Sequence, residues 1–157
     1  MEITIRKMAY DDSSRVIEIL STWNMAPVKV SPENSDPERS TIYVENSFVA
    51  LDGCRIVGVS SYILLSEEVA ETASLAVAQQ YKGKGIGYRL QRKRLQEMKE
   101  KGIKWVRTEA DRPDTIKWYM TKFGYKIIGR NKKKHTFSLS NVDHWTVMEL
   151  DLQNYDI

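Results

Sequence analysis

Cysteine is nearly absent from this 157-residue chain: Cys54 stands alone. No internal disulfide can form, and a reducing cytoplasm is the expected setting. No apolar run approaches the ~20 residues of a membrane-spanning helix. The opening Met1-Glu2-Ile3-Thr4-Ile5-Arg6 alternates like a strand and does not read as a signal peptide. No membrane partner is expected. Histidine is scarce too. His135 and His144, nine apart with Asp143 beside the second, lack a metal-ligand pattern, and no metal is expected. Neither sign of charge dominates. The 24 basic against 21 acidic side chains leave +3, enough to suit an anionic cofactor and too little to argue for nucleic acid. Trp23, Trp105, Trp118 and Trp145 follow no base-stacking pattern and read as core or pocket walls. Repeats and low-complexity tracts are missing. What remains, 41% hydrophobic and 29% charged residues, is the composition of a soluble globular protein, most simply one domain over residues 1–157.

The most informative segment is Leu75-Ala76-Val77-Ala78-Gln79-Gln80-Tyr81-Lys82-Gly83-Lys84-Gly85-Ile86-Gly87. It reads as a strand, a glycine-rich turn and the start of a basic amphipathic helix. Glycines at alternate positions leave the amides of the turn unobstructed, and a helix N-terminus adds partial positive charge there. Convergent amides of this kind suit a pyrophosphate. The segment is not a P-loop, because Gly85 is followed by Ile86 and the magnesium-binding hydroxyl is missing. Nor is it a dinucleotide fingerprint, because Gly83, Gly85 and Gly87 are spaced G-x-G-x-G.

Around it, Ile3 and Ile5 alternate as a first strand, and Asp11 or Asp12 can cap a helix with Val16, Ile17 and Leu20 inward. Residues 24–40 hold Pro27, Pro32 and Pro37 and read as a loop, with room for one short helical turn. Thr41 to Leu51 and Arg55 to Leu65 form a hairpin about Asp52-Gly53, and Val69 to Val77 is the next strand. The helix after the glycine turn runs to about Lys101, with Ile86, Leu90, Leu95 and Met98 inward and Gly102 as its stop. Ile103 to Ala110 is a strand, Pro113 opens a short helix, and Tyr125 to Gly129 and His144 to Leu152 are the last strands.

Gln80-x-x-Gly83-x-Gly85 resembles the Q/R-x-x-G-x-G/A coenzyme A motif of the GNAT superfamily of acyl-CoA N-acyltransferases. The order of elements is similar to that family's over nearly the whole chain. The resemblance implies an α/β fold of α+β type: a mixed, mostly antiparallel central sheet of about seven strands with a splayed parallel pair, flanked by helices. It implies acetyl-CoA as co-substrate. Its pantetheine arm would bond the backbone of Leu75 and Val77, with Ala76 between them. The segment from Lys82 through Lys84 and Ile86 to Gly87 would hold the pyrophosphate, with Tyr88 nearby. Arg112 stands where the family's coenzyme-contacting asparagine is usual, and is assigned to the coenzyme.

Acyl transfer to an amine needs a base, an oxyanion donor and an acid for the departing thiolate. By resemblance the amide of Val77 is the oxyanion donor. Glu71 is the expected base. It lies four residues before Leu75, so simple alternation puts both on one face; Ala70-Glu71 also matches the Ala-Glu of members that use a glutamate. The link from this strand to Gln80 is two residues shorter than in those members. Glu67, Glu68 and Glu109 are the rivals. The expected acid is Tyr119. Counting from Pro113 the family's tyrosine position is Tyr119, and counting back from Gly124 it is Met120. Pro113 fixes where the helix starts, and an extra residue can be absorbed at its end or in a π-bulge.

Arg89, Arg92, Lys93 and Arg94 form a basic stripe on the helix after the turn, read first as a solvated face, with contact between one of them and the coenzyme's 3′-phosphate as the alternative. The run Asn131-Lys132-Lys133-Lys134-His135 is expected in the loop between the last strands, where by resemblance the family frames its acceptor, and hints at an acceptor bearing a carboxylate or phosphate. The expectation is a cytoplasmic acetyl-CoA-dependent N-acetyltransferase with a small-molecule amine acceptor. Competing readings are a protein or peptide N-acetyltransferase, a non-catalytic acyl-CoA binding module, and an RNA-binding accessory domain. A homodimer is the generic expectation for oligomeric state.

Overall fold

The computed structural model describes residues 2–25, 29–33, 41–134 and 138–157. Pro27, Pro37 and His135 lie outside the described residues. The strands are β1 (Ile3–Lys7), β2 (Lys29–Ser31), β3 (Thr41–Tyr43), β4 (Ser47–Asp52), β5 (Arg55–Leu64), β6 (Val69–Val77), β7 (Trp105–Ala110), β8 (Lys126–Lys132) and β9 (His144–Asp151). The helices are α1 (Ser13–Ser21), α2 (Ile86–Glu100) and α3 (Pro113–Phe123).

Seven strands form one sheet in the order β1-β4-β5-β6-β7-β9-β8. Every pairing in it is antiparallel except β6 with β7. This is the expected mixed architecture. Several elements differ from expectation in their bounds or faces, among them the strand expected at Tyr125 to Gly129, which runs from Lys126 to Lys132. The run from Thr41 to Leu51 is not one strand. A helical turn at Val44–Asn46 divides it, and β3 leaves to pair in parallel with β2 as a separate two-stranded sheet. Among the described residues of the proline-containing segment, Lys29–Ser31 is a strand, and residues 26–28 and 34–40 of the expected loop lie outside the described residues. In α1, Ile19 and not Ile17 joins Val16 and Leu20 in the core.

Two apolar clusters flank the sheet. One gathers α1, β4, β5 and the start of α2 around Val16, Leu20, Val59 and Leu90. The other gathers the end of α2, β7, α3 and β9 around Leu95, Met98, Val106 and Met148. The strand pair β6–β7 lies where the clusters meet, and its parallel register is short. It runs from Val69/Trp105 to Thr72/Thr108 and stops. Beyond that rung, β6 stays with β5 and β7 stays with β9.

The cause of the parting is a bulge. Tyr62 pairs with Thr72 and Ser60 with Leu75, so Ala73 and Ser74 together oppose Ser61. Two residues against one bend the longer strand and increase its twist. The bend falls where β6 leaves β7.

Candidate functional site

The parted strands open a cleft of about 1470 Å³, lined on one wall by Ala73 to Val77 and on the other by Thr108 to Arg112. Ala78 N–H donates to Val57 O at 2.8 Å, toward β5. Backbone direction alternates along an extended strand, so the amides and carbonyls of Leu75 and Val77 point into the gap. The indole Nε1–H of Trp23 donates to Val77 O at 2.8 Å.

At the end of β6 the chain makes the glycine turn. Gly83 and Gly85 sit at φ +78° and +80°, a region open to glycine and strained for other residues. A Cβ at either position would enter open space; the demand for glycine there is conformational, and it leaves the turn's outer surface bare. Gly85 caps α2 with no side-chain bond, and no acidic residue occupies the first helical turn. The leading amides of a 15-residue helix thus face outward without a partner among the described residues. These features fit a pyrophosphate. Of the residues expected to hold a coenzyme, Leu75, Ala76, Val77, Lys82, Gly83 and Gly85 line the cleft, as do Ile86, Gly87, Tyr88 and Arg112. Gln80 and Lys84 are exposed and outside the lining. Arg112 lies over the Trp23 ring at 5.6 Å. Its buried Nε has no partner among the described residues, a donor that a ligand carbonyl or phosphate would satisfy.

Helix α3 begins at Pro113 and ends on Gly124, whose N–H reaches Met120 O. It is α-helical throughout, so the extra residue lengthens the helix and makes no π-bulge. Tyr119 is buried and lines the cleft; Met120 points outward, 39% exposed. The Tyr119 hydroxyl oxygen accepts from Arg94 Nη2 at 2.9 Å.

Glu71 does not share a face with Leu75. Glu71 pairs with Ile63 and Leu75 with Ser60, an odd interval on β5, so the bulge has flipped the alternation. Val77 confirms the flip: its side chain turns toward Gly87 at the start of α2. Glu71 stays on the opposite face, beside Arg107, and is outside the cleft lining. Glu109, two residues beyond Arg107 on that same face, lines the cleft and accepts from Asn131 Nδ2 at 3.4 Å. The other rivals, Glu67 and Glu68, lie in the turn before β6, away from the cleft.

A roof crosses the Glu109 side of the cleft. Ser138 N–H donates to Asn24 O at 2.8 Å, and Asn24 Nδ2 returns a bond to Ser138 O at 3.1 Å. Both residues have positive φ, +55° and +62°, so the contact holds some backbone strain. Asp111 anchors it. Its carboxylate accepts from Lys133 Nζ at 2.7 Å, Ser138 Oγ at 2.7 Å and Leu139 N–H at 2.8 Å. Burial alone would push this carboxyl up, but Lys133, Ser138 and Leu139 together hold it below the ordinary carboxylate range. Lys133 also lies over the Trp145 ring at 4.5 Å, and Lys132 and Lys134 line the same side.

The basic stripe on α2 divides. Arg89, Arg92 and Lys93 face solvent, but Arg94 has no exposed surface. Leu90, Arg94 and Met98 recur every four residues on the inward face. That phase was the readable sign of its burial. Asp111 and Ser138 carried no comparable sign. His144 bonds its neighbour Asp143 and does not line the cleft. Among the described residues no cluster of metal-binding side chains occurs, and no helix is long and apolar enough to cross a membrane.

The model of the acetyltransferase (GNAT) family matches residues 10–125. No curated protein matches the chain by sequence. Among solved structures, Ard1 from Thermoplasma volcanium aligns with a TM-score of 0.72 at 20% identity, covering 95% of this chain and 97% of that one. The ribosomal-protein-S18-alanine N-acetyltransferase from Escherichia coli aligns at 0.72 and 14% identity, covering 96% and 94%. The N-acetylglutamate synthase from Neisseria gonorrhoeae, complexed with coenzyme A and L-arginine, aligns at 0.72 and 14%, covering 97% of this chain and 34% of that one. At these identities the likeness is one of fold.

Proposed function

The chain belongs to the acetyltransferase (GNAT) family, and from that premise we propose that it transfers the acetyl group of acetyl-CoA directly to a primary amine of a small molecule. The observation that carries this reading is the placement of two proton-handling groups on opposite sides of one cleft. Tyr119 stands on the side of α2 and α3, and Glu109 on the other face of the sheet. Bound acetyl-CoA would supply an activated thioester to the gap between them. The glycine turn would hold its phosphates, and the inward backbone of Leu75 and Val77 would hold its arm. The Val77 N–H is directed to donate to negative charge developing on the thioester oxygen. Glu109 takes the proton from the attacking amine, directly or through one water. Tyr119 gives a proton to the departing sulfur. Glu109 replaces Glu71 in this assignment because it reaches the cleft and Glu71 does not.

The small-molecule assignment rests on the roof. Trp23 and Asn24 meet Arg112 and Ser138 over the acceptor side, which leaves room for a compact amine and obstructs an extended peptide. Arg112, Lys132 and Lys134 on the same cleft favour an acceptor with a carboxylate or phosphate. Thiol release from acetyl-CoA across a panel of amino acids, amino sugar phosphates, polyamines and peptides tests this. Anionic small amines are expected to turn over fastest. Turnover confined to peptides would overturn the acceptor assignment, and tight acetyl-CoA binding with no turnover on any amine would leave a binding module.

A further inference from the structure

Arg94 makes four side-chain hydrogen bonds inside the core. It has no exposed surface. Its Nη1 donates to Ser61 O at 2.9 Å and Ser74 O at 3.1 Å, its Nε to Gln91 Oε1, and its Nη2 to Tyr119 Oη at 2.9 Å. Among the described residues no carboxylate pairs with it. A buried charge without a counter-charge is costly to keep. Two of its acceptors are the carbonyls at the β-bulge, where Ser61 faces Ala73 and Ser74 and the ladder is interrupted. Arg94 thus plugs the bulge that starts the splay and extends from there to the tyrosine.

We propose that Arg94 is a positioning residue for proton donation by Tyr119. This rests on the reading of Tyr119 as the acid. Because the phenol oxygen accepts from the guanidinium, its own hydrogen is turned away from Arg94. Gln91 is engaged elsewhere, its Oε1 accepting from Arg94 Nε and its Nε2 donating to Tyr125 Oη at 3.0 Å. When the C–S bond breaks, the electron pair stays on sulfur. Tyr119 passes its proton to that sulfur and is left as a phenolate, which recovers a proton from solvent after release. Arg94 holds a fixed positive charge against the phenolate oxygen at the moment it forms. The hydrogen bond changes there from charge–neutral to charge–charge, and it strengthens as the reaction proceeds.

The test is a double-mutant cycle on acetyl-CoA thiol release with the best amine of the panel, with melting temperatures recorded for each variant. Tyr119→Phe should lower kcat on the order of 100-fold. Arg94→Gln should lower kcat by tenfold or more, on the order of one strong hydrogen bond, with KM for acetyl-CoA within about twofold. Arg94→Lys, which keeps the charge, should recover part of the loss. In the Tyr119→Phe background, Arg94→Gln should have no further effect. An equal loss in both backgrounds, or a kcat that follows melting temperature whatever the charge at position 94, would overturn the proposal and leave Arg94 a plug for the bulge. Full activity in Tyr119→Phe would instead remove the parent reading of Tyr119.

Discussion

The two sides of the cleft are built from different materials. On the coenzyme side the chain offers backbone: left-handed glycines, an uncapped helix N-terminus and inward-facing strand amides. On the acceptor side it offers side chains drawn from distant segments: Trp23 and Asn24 after α1, Glu109 and Asp111 on and after β7, Lys133 and Ser138 between β8 and β9. A backbone cradle depends on few side chains. A side-chain roof can be rebuilt for a different acceptor without disturbing the sheet.

The largest effect is expected on the coenzyme side. Gly85→Glu places a carboxylate on the open face of the turn and strains the backbone at φ +80°. Calorimetric titration should show acetyl-CoA affinity reduced on the order of 100-fold, about 2.7 kcal/mol. A change of less than threefold would mean that the turn does not hold the phosphates. On the acceptor side, Asp111→Ala leaves Lys133 buried without its carboxylate, a loss of roughly 3 kcal/mol. That should lower the melting temperature by about 6–12 °C and raise KM for the amine while leaving acetyl-CoA binding nearly intact. Equal damage to both ligands would erase the division between the sides.

Acid should loosen the same roof reversibly. The Asp111 carboxyl is held below its ordinary value near 3.8, so its contribution is complete above that value. It is lost as pH falls through the lower, folded-state value. Between pH 7 and 5 the difference in melting temperature between wild type and Asp111→Asn should stay constant, and below about pH 4 it should shrink. A difference that shrinks already between pH 7 and 5 would contradict the assigned ion pair. The smallest effect belongs to Trp23→Phe. It keeps an aromatic ring under Arg112 and removes the bond to Val77 O, with an expected cost near 1 kcal/mol, read as about a fivefold rise in the KM of the amine.

This division also explains what was legible in the sequence. The glycine turn and the helices that flank it were readable because glycine spacing, Pro113 and the helical period act over a few residues. The parallel pair and its splay followed from family resemblance. The bulge at Ala73-Ser74 was not readable, since it contains no glycine or proline to mark it. It reversed the face of every residue beyond it, so counting by alternation put Glu71 and Leu75 together when they are apart. Arg94 was legible from the four-residue phase of Leu90, Arg94 and Met98, but its charge argued for solvent and the phase argued for the core. The core prevailed because two bulge carbonyls, Gln91 and the Tyr119 hydroxyl supply the hydrogen bonds that water would have given. The link from Asn24 to Ser138 joins positions 114 apart, beyond the reach of any local pattern.

The most direct test of the account is the rate of thiol release from acetyl-CoA, with the best amine of the panel, for wild type, Glu109→Gln and Glu71→Gln. Proton transfer divided across the splay predicts that Glu109→Gln lowers kcat by about 10²–10³-fold, with acetyl-CoA affinity unchanged, and that Glu71→Gln stays close to wild type. Near-normal turnover in Glu109→Gln together with loss in Glu71→Gln would contradict it, and would return the base to the far side of the bulge.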